Sequence, residues 1–519
     1  MKIGLTNIYS FRPHVEHLYY LSLLLRQAGH EVAYLTCDSS VATCYPRILK
    51  NTGRARECSK CMLGGVRSYP ARDITSLSSS PRGSSLPHDV LQQLAHSSAA
   101  TLTRTESAQD YHLPEVAKIR AELEEPINQA YQAAMAWIER KQLDAVICFN
   151  GRMDLTRGIT FACEKAGIPF LTHERTWFGD GLRLIPNENC LSVRALSELA
   201  REFDNRPLTS RQARIAGKLI GDRFLQRNSL EWRLYNRNPL PAEWPLPDAG
   251  ARVLVLPSSK NEFAGHPEWV SDWADNTHAL DDFFDAFGIG PRQVVLRCHP
   301  NWGEAIGKVT GERSKAHYYK WASDRGIHCI RSEDKASTYD LIQQADIVVM
   351  NGGSSAVEAG ACGKQVFCLG PASYQAAGFL KTIMTREDLA LPEFHEPLDR
   401  EDVLRKTLRY VYLRYGRFAQ YVEYVRAEST TKYAYYRGAD PDRLLSMMQS
   451  NRIYADDPVF ADSLDDETEV VSMLNDKNWA ALAAYVNQRP DLEPLYVGRR
   501  KGLRWIDDFR AKLPRGDRS

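Results

Sequence analysis

No apolar run in this chain approaches the roughly 20 residues needed to cross a bilayer. Residues 1–9 lack the basic region, apolar stretch and cleavage site of a secretory signal. Charge of one sign is not in excess either. The 66 Lys and Arg meet 65 Asp and Glu, for a formal net charge of +1, which argues against bulk nucleic-acid binding. Local basic patches stay compatible with a membrane surface. The eleven cysteines come without a secretory signal, so a reducing compartment is expected and a disulfide framework is not. The expectation is a soluble cytoplasmic protein, with peripheral contact at the inner membrane as an option. At 519 residues the chain exceeds one ordinary core, and two domains plus extensions follow.

What is present centres on residues 293–371, which read as strand, helix, strand, helix, strand. Val294, Val295 and Leu296 form a short apolar run ending at Arg297-Cys298-His299-Pro300. Pro300 lacks an N–H and biases His299 away from helix, so His299 falls at the strand's carboxyl end. A second buried-type strand over 347–350 runs into Asn351-Gly352-Gly353-Ser354-Ser355, followed by helix to Gly363 and a third strand over 365–369. Alternation of this kind predicts a parallel sheet whose ligands lie beyond the strands' carboxyl ends. A glycine pair feeding a helix start leaves N–H groups bare and suits an anion. Ser354 and Ser355 cap the helix or donate to phosphate oxygens, and Glu358, one turn on, reaches for a ribose hydroxyl. A structural turn and a structural histidine are the bland alternatives, but their combination on successive strands points to a nucleoside mono- or diphosphate site.

This segment resembles the donor half of GT-B glycosyltransferases, above all bacterial capsule and surface-polysaccharide transferases, which carry an His-Pro pair after one strand and a small-residue turn with a downstream Glu after another. Here those are His299-Pro300 and Asn351-Gly352-Gly353-Ser354-Ser355 with Glu358. The resemblance implies that the turn holds the donor phosphates, Glu358 the ribose, and His299 the phosphate or leaving group. Arg297 joins the donor contacts.

The chain opens with a strand over 2–6, a helix over 14–28 and a strand over 31–36, again similar to the start of a GT-B first domain. His14 and His17 sit at the loop–helix junction facing the expected cleft, and a helix-surface role is favoured over a catalytic one. Cys37, Cys44, Cys58 and Cys61 then cluster, the last pair as Cys-x-x-Cys. A structural zinc site and free buried thiols are balanced readings, with an iron–sulfur cluster or redox pair behind them. Residues 67–88, rich in Ser, Pro, Gly and Arg, predict a flexible loop. A long amphipathic helix follows over 113–141, kinked or split at Pro126.

Strands over 144–149 and 168–172 lead into Asn150-Gly151-Arg152 and His173-Glu174-Arg175, loops similar to segments of the same transferases. An acceptor hydroxyl needs a base, since an alcohol is a poor nucleophile at neutral pH. Glu174 is the first candidate and Asp180 the second. Arg152 or Arg175 steadies a donor phosphate or anionic acceptor, with an interdomain salt bridge as the structural alternative for each of these residues.

The expected organisation is a first Rossmann-like acceptor domain over 1–205 and a helical then Pro-rich linker over 206–250. A donor domain over 251–395 follows, then aromatic-rich helices over 396–450 that cross back. A helical extension of unassigned role, with an acidic patch at 465–469 and a basic tail, closes the chain at 451–519. In the donor domain Ser258, Ser259 and Lys260 follow the first strand, and Ser258 and Lys260 are the named donor contacts there. The resemblance spans about two-thirds of the chain in architecture, but its motifs are confined to the opening, the two mid-chain loops and the second domain. It implies a metal-independent GT-B transferase acting on a nucleotide-sugar donor and a glycan or lipid-linked acceptor in capsule- or O-antigen-like synthesis. No Asp-x-Asp motif stands in the strand context of a metal-dependent enzyme. A nucleotide-sugar epimerase or hydrolase on the same fold, and a non-catalytic scaffold of an assembly complex, are the competing readings.

Overall fold

The computed structural model describes residues 1–79, 83–231, 239–305, 309–455 and 467–512. Parts of the Ser/Pro/Arg-rich loop (80–82), the linker (232–238), the acidic patch (465–466) and the basic tail (513–519) therefore lie outside the described residues. The first sheet is built from β1 (Lys2–Asn7), β2 (Glu31–Thr36), β3 (Ile74–Ser76), β4 (Ala145–Phe149), β5 (Phe170–Arg175) and β6 (Leu182–Pro186). Its order is β6-β5-β4-β1-β2-β3, parallel throughout except for the last strand, β6, which is antiparallel to β5. The second sheet contains β7 (Val253–Leu256), β8 (Val294–Arg297), β9 (His328–Ile330), β10 (Ile347–Met350), β11 (Gln365–Leu369) and β12 (Lys381–Ile383). Its order is β12-β11-β10-β7-β8-β9, with every pair parallel.

Each sheet thus places its first and fourth strands side by side at the centre, with the chain winding outward in both directions. That is the doubly wound order, and its crevice opens beyond the carboxyl ends of the central pair. The central strands are apolar on both faces because helices cover both: β4 and β7 are buried at every residue. Two Rossmann-like domains facing a cleft, with the end of the chain crossing back, form the expected GT-B architecture.

The return crossing differs from the expectation in kind. Over 396–450 helix covers Arg400–Tyr412 and Asp442–Ser450 alone, and a wide turn over Leu413–Arg417 follows the first of them. The chain then adds β13 (Ala419–Gln420) antiparallel to β6, so the first domain's edge is finished by the far end of the sequence. A hairpin, Val425–Ala427 with Tyr433–Tyr435, and the Asp442–Ser450 helix continue over the same domain. Tyr421, Val425, Tyr435, Leu444 and Met447 pack there in one core with Ile3, Leu5, Leu18 and Leu21. The aromatic-rich stretch is core, with Tyr410, Tyr412, Tyr415, Phe418 and Tyr421 all buried. The extension also packs: Val470, Leu474 and Leu482 bury themselves in the core that contains Ala213, Ala216 and Ile220 of the Ser210–Phe224 helix.

Three further departures have local causes. The stretch expected to be loop over 67–88 contains β3, a three-residue edge strand too short to show a period. The helix Pro114–Lys141 is not split at Pro126. A mid-helix proline costs about 3 kcal/mol, and burial of Leu123, Ile127, Trp137 and Ile138 outweighs it at about 1.5–3 kcal/mol per large side chain. Finally, His173, Glu174 and Arg175 belong to β5 itself, because β6 returns as an antiparallel partner and extends the pairing to Arg175.

Candidate functional site

The two sheets present their carboxyl ends to one cavity of about 950 Å³ between the domains. On the first-domain side, β4 ends at Asn150 and Gly151, both with left-handed backbone (φ 63° and 73°). The Asn150 carboxamide holds this turn, its Oδ1 accepting from the N–H groups of Arg152 (3.1 Å) and Met153 (3.2 Å). Its Nδ2 donates to Glu174 Oε2 at 3.0 Å. The other oxygen, Oε1, accepts from the backbone N–H of Arg175 (3.1 Å) and lies 3.1 Å from His14 Nε2. Glu174 is thereby fixed by three groups while its side chain stays about a quarter exposed to the cleft. A carboxylate held and still open is the arrangement a general base needs.

On the second-domain side, β10 runs into Gly352 and Gly353, with φ of 117° and 91°. Side chains rarely adopt these angles, which is why glycine stands at both. Gly352, Gly353, Ser354 and Ser355 line the cavity, and the Ser355–Ala361 helix starts from the turn. His299 follows β8, lines the cavity, and accepts the Asn301 N–H on Nδ1 at 3.2 Å. Arg297 lines it as well, but its guanidinium braces backbone carbonyls of Arg331 (2.7 Å), Asp334 (2.9 Å) and Cys298 (3.1 Å).

Glu358 is 1% exposed and lines the same cavity. Its Oε1 accepts from Arg223 Nε at 2.8 Å and from a second guanidinium nitrogen at 2.6 Å, while Oε2 has no hydrogen-bond partner. Arg223 also donates to Ser354 Oγ (3.2 Å) and pairs with Glu231. Burial works against charge on this guanidinium, but Glu231 and Glu358 outweigh it and hold its pKa up; burial likewise pushes the Glu231 carboxyl up. Arg223 comes from the Ser210–Phe224 helix between the domains and stacks over Trp177 with 4.9 Å to the ring centre. No sequence motif marks it.

Several predicted residues fall elsewhere. Asp180 is buried outside the cavity lining, accepting the Ala427 N–H at 2.8 Å and pairing with Arg489, so it fastens the C-terminal chain instead of serving as a base. Lys260 turns into a smaller pocket of about 410 Å³, its ammonium bound to the carbonyls of Trp273 and Ala274. Asn351 lines that pocket too, its Oδ1 accepting the Ser258 N–H at 3.0 Å and its Nδ2 donating to the Ser258 carbonyl at 3.3 Å. Ser258 is buried behind the turn. These two residues lock the ends of β7 and β10 together.

Cys37 follows β2, Cys44 precedes the Tyr45–Lys50 helix, and Cys58 and Cys61 lie on the Arg54–Gly64 helix. Burial raises the thiol of Cys37 to about 11 and raises those of Cys44 and Cys61. Among the described residues, two groups bring three potential metal-ligand atoms within 4.8 Å of one another: His14 with His17 and His173, and Glu188 with His266 and Glu268. The four cysteines form no such group.

Sequence reasoning found Arg152, Arg175 and Arg297 but missed four further arginines of the cleft. Arg12, Arg152, Arg175, Arg183, Arg223, Arg297 and Arg414 line it against Glu174, Glu231, Glu262 and Glu358. The surplus of arginine suits an anionic ligand, and Arg12, Arg183, Arg223 and Arg414 come from segments outside the motifs, so no local pattern reveals those four.

No family model matches the sequence, and neither does any curated protein. Among solved structures, the chain is similar to KpsC, a beta Kdo 2,4 transferase of Thermosulfurimonas dismutans. That match has 16% identity over 59% of this chain and 87% of the other, with a TM-score of 0.34. It is also similar to UDP-GlcNAc 2-epimerase from Neisseria meningitidis bound to UDP-GlcNAc (12% identity, 78% and 97% covered, TM-score 0.23). A third is MurG of Acinetobacter baumannii (11% identity, 79% and 94% covered, TM-score 0.25). The function of this chain is read from its own cleft.

Proposed function

We propose that this chain is a nucleotide-sugar-dependent glycosyltransferase that extends a glycan or lipid-linked acceptor in surface-polysaccharide synthesis. The observation that carries the reading is the meeting, in one arginine-rich cavity, of the glycine turn and His299 on one wall with a held, open carboxylate, Glu174, on the other. Glu174 takes the acceptor hydroxyl's proton as its oxygen bonds to the anomeric carbon. The bond from that carbon to the donor phosphate breaks, and the nucleotide leaves with the electron pair. Backbone N–H groups of the turn, His299 and the arginines receive the departing negative charge, with no metal required at the phosphate. Glu358 Oε2 is the acceptor offered to a ribose hydroxyl.

The test is a thermal-shift panel of UDP, GDP, CDP, dTDP, ADP and CMP on wild type and His299→Ala. His299 is half-buried at a loop, so its removal leaves the core intact. One nucleotide stabilising the wild type and not the variant is the expected result, and it names the donor class. No shift with any of the six on folded protein overturns the transferase reading in favour of a scaffold. Release of nucleotide from the matching donor without any acceptor would favour the epimerase or hydrolase.

A further inference from the structure

His14 and His17 begin the first helix of the chain, and His173 lies on β5 beside it. All three imidazoles are buried, His17 and His173 completely. Neither ring nitrogen of His17 and neither of His173 has a hydrogen-bond partner, and Nδ1 of His14 has none. A neutral imidazole carries one donor and one acceptor, so two fully buried rings leave four polar positions unmet. Buried polar groups are otherwise almost always paired, and such a cluster calls for an explanation. The three residues each offer a nitrogen within 4.8 Å of the others, with ring centres 6.0 Å apart from His14 to both neighbours.

We propose that His14, His17 and His173 bind a divalent transition-metal ion, zinc by ligand chemistry, at the floor of the cleft. Three imidazoles are a ligand set that zinc accepts with one position left open. Ligation at about 2.1 Å asks the nitrogens to close to about 3.4 Å from one another, a movement side-chain rotation can supply. The outer partner is in place: His14 Nε2 faces Glu174 Oε1 at 3.1 Å, leaving Nδ1 for the metal. A ligating histidine typically gives its other nitrogen to a carboxylate in this way, which fixes the tautomer and the ring. Phe149 packs against His14 (ring centres 4.2 Å) and Tyr433 against His17 (4.7 Å), giving the site an apolar surround. The neighbouring charges are Arg175, held by Tyr433 Oη at 3.0 Å, and Glu174. Burial above all keeps the imidazoles of His14 and His173 neutral, at about 3, and lowers His17 as well, with Arg175 adding to the effect on His14 and His17; neutral imidazole is the ligating form. The ion would hold the helix start to β5 and orient Glu174 through His14, away from the donor phosphates.

Full-length protein stripped with chelator and reloaded with zinc, then with cobalt(II), tests this. About one ion per chain by elemental analysis is expected, with a cobalt spectrum showing visible ligand-field bands and no thiolate charge-transfer band. Retention in Cys58→Ser/Cys61→Ser and loss in His17→Gln/His173→Gln complete the expected pattern. No stoichiometric metal in the wild type, or a thiolate band in its cobalt spectrum, overturns the site. The wild-type spectrum decides alone if the histidine variant does not fold.

Discussion

Glu358 shows how one side chain can serve the site and the fold together. Its carboxylate is the partner of a buried guanidinium, and removing one member of such a pair destabilises by about 3–5 kcal/mol because the other is left uncompensated. Arg223 keeps Glu231, so Glu358→Ala is expected at the lower end, about 3 kcal/mol, read as a shift in urea midpoint with unchanged slope. Glu174 is expected to behave differently. It is partly exposed and held by hydrogen bonds to neutral groups, so Glu174→Gln should leave the urea midpoint nearly unchanged. Turnover should fall by about 10²–10⁴, with nucleotide-induced stabilisation intact. The two glutamates were legible from sequence to different depths. Glu358 announced itself by its distance from the Gly-Gly turn. Its partner Arg223, 135 residues earlier, could not, because a pair that far apart leaves no local period. Asp180 looked like Glu174 in sequence, a carboxylate after the same strand, and the late return of Ala427 and Arg489 onto it, outside the cleft, separates them.

At the scale of elements, legibility followed burial. Strands covered on both faces read as unbroken apolar runs, and β2, β10 and β11 stand at the predicted bounds. The edges did not read: β3 is three residues long, β6 is interrupted by Arg183 and closed by Pro186, and β13 is two residues long. The helix behind the Gly-Gly turn is packed so closely that its glycine content has a reason. A Cβ on Gly360 would sit 2.3 Å from Thr407 Oγ1 and 2.8 Å from the Phe379 ring, where Arg400–Tyr412 crosses it. Gly360→Ala should therefore destabilise by about 1–3 kcal/mol despite alanine's better helix propensity, checked by chemical denaturation. Gly288, which meets nothing within 4 Å, is the matched control for volume, though its positive φ carries a separate strain.

For the molecule as a whole, the two domains meet over a titratable contact. Glu106 of the first domain is 2% exposed and accepts from Ser314 Oγ (2.7 Å) and the Lys260 N–H (3.2 Å) of the second. Burial, only partly offset by these bonds, raises its carboxyl to about 7. Between the unfolded value near 4.5 and about 7 the folded chain binds the extra proton, so stability is fullest at the acid end of that window and falls as pH rises through it. Spread over that window, the loss is about 3 kcal/mol. Glu106→Gln should remove it: the Tm of the variant should gain on that of wild type between pH 5 and pH 8, measured side by side in one buffer series. No helix among the described residues is long and apolar enough to cross a membrane.

The late strand β13 and the hairpin and helix after it also impose an order on synthesis. A ribosome releases the first domain with its sheet open at β6 and one face of its core uncovered, since the residues that close both come from 419–448. The second sheet has all six of its strands by β12, although its core also takes Val403, Leu408, Val470 and Leu474 from later in the chain. The sheet begun first is therefore the last to receive a strand, the reverse of the usual vectorial sequence. Nascent chains arrested before Ala419 should show a first domain still open to cleavage, and releasing the remainder should protect it.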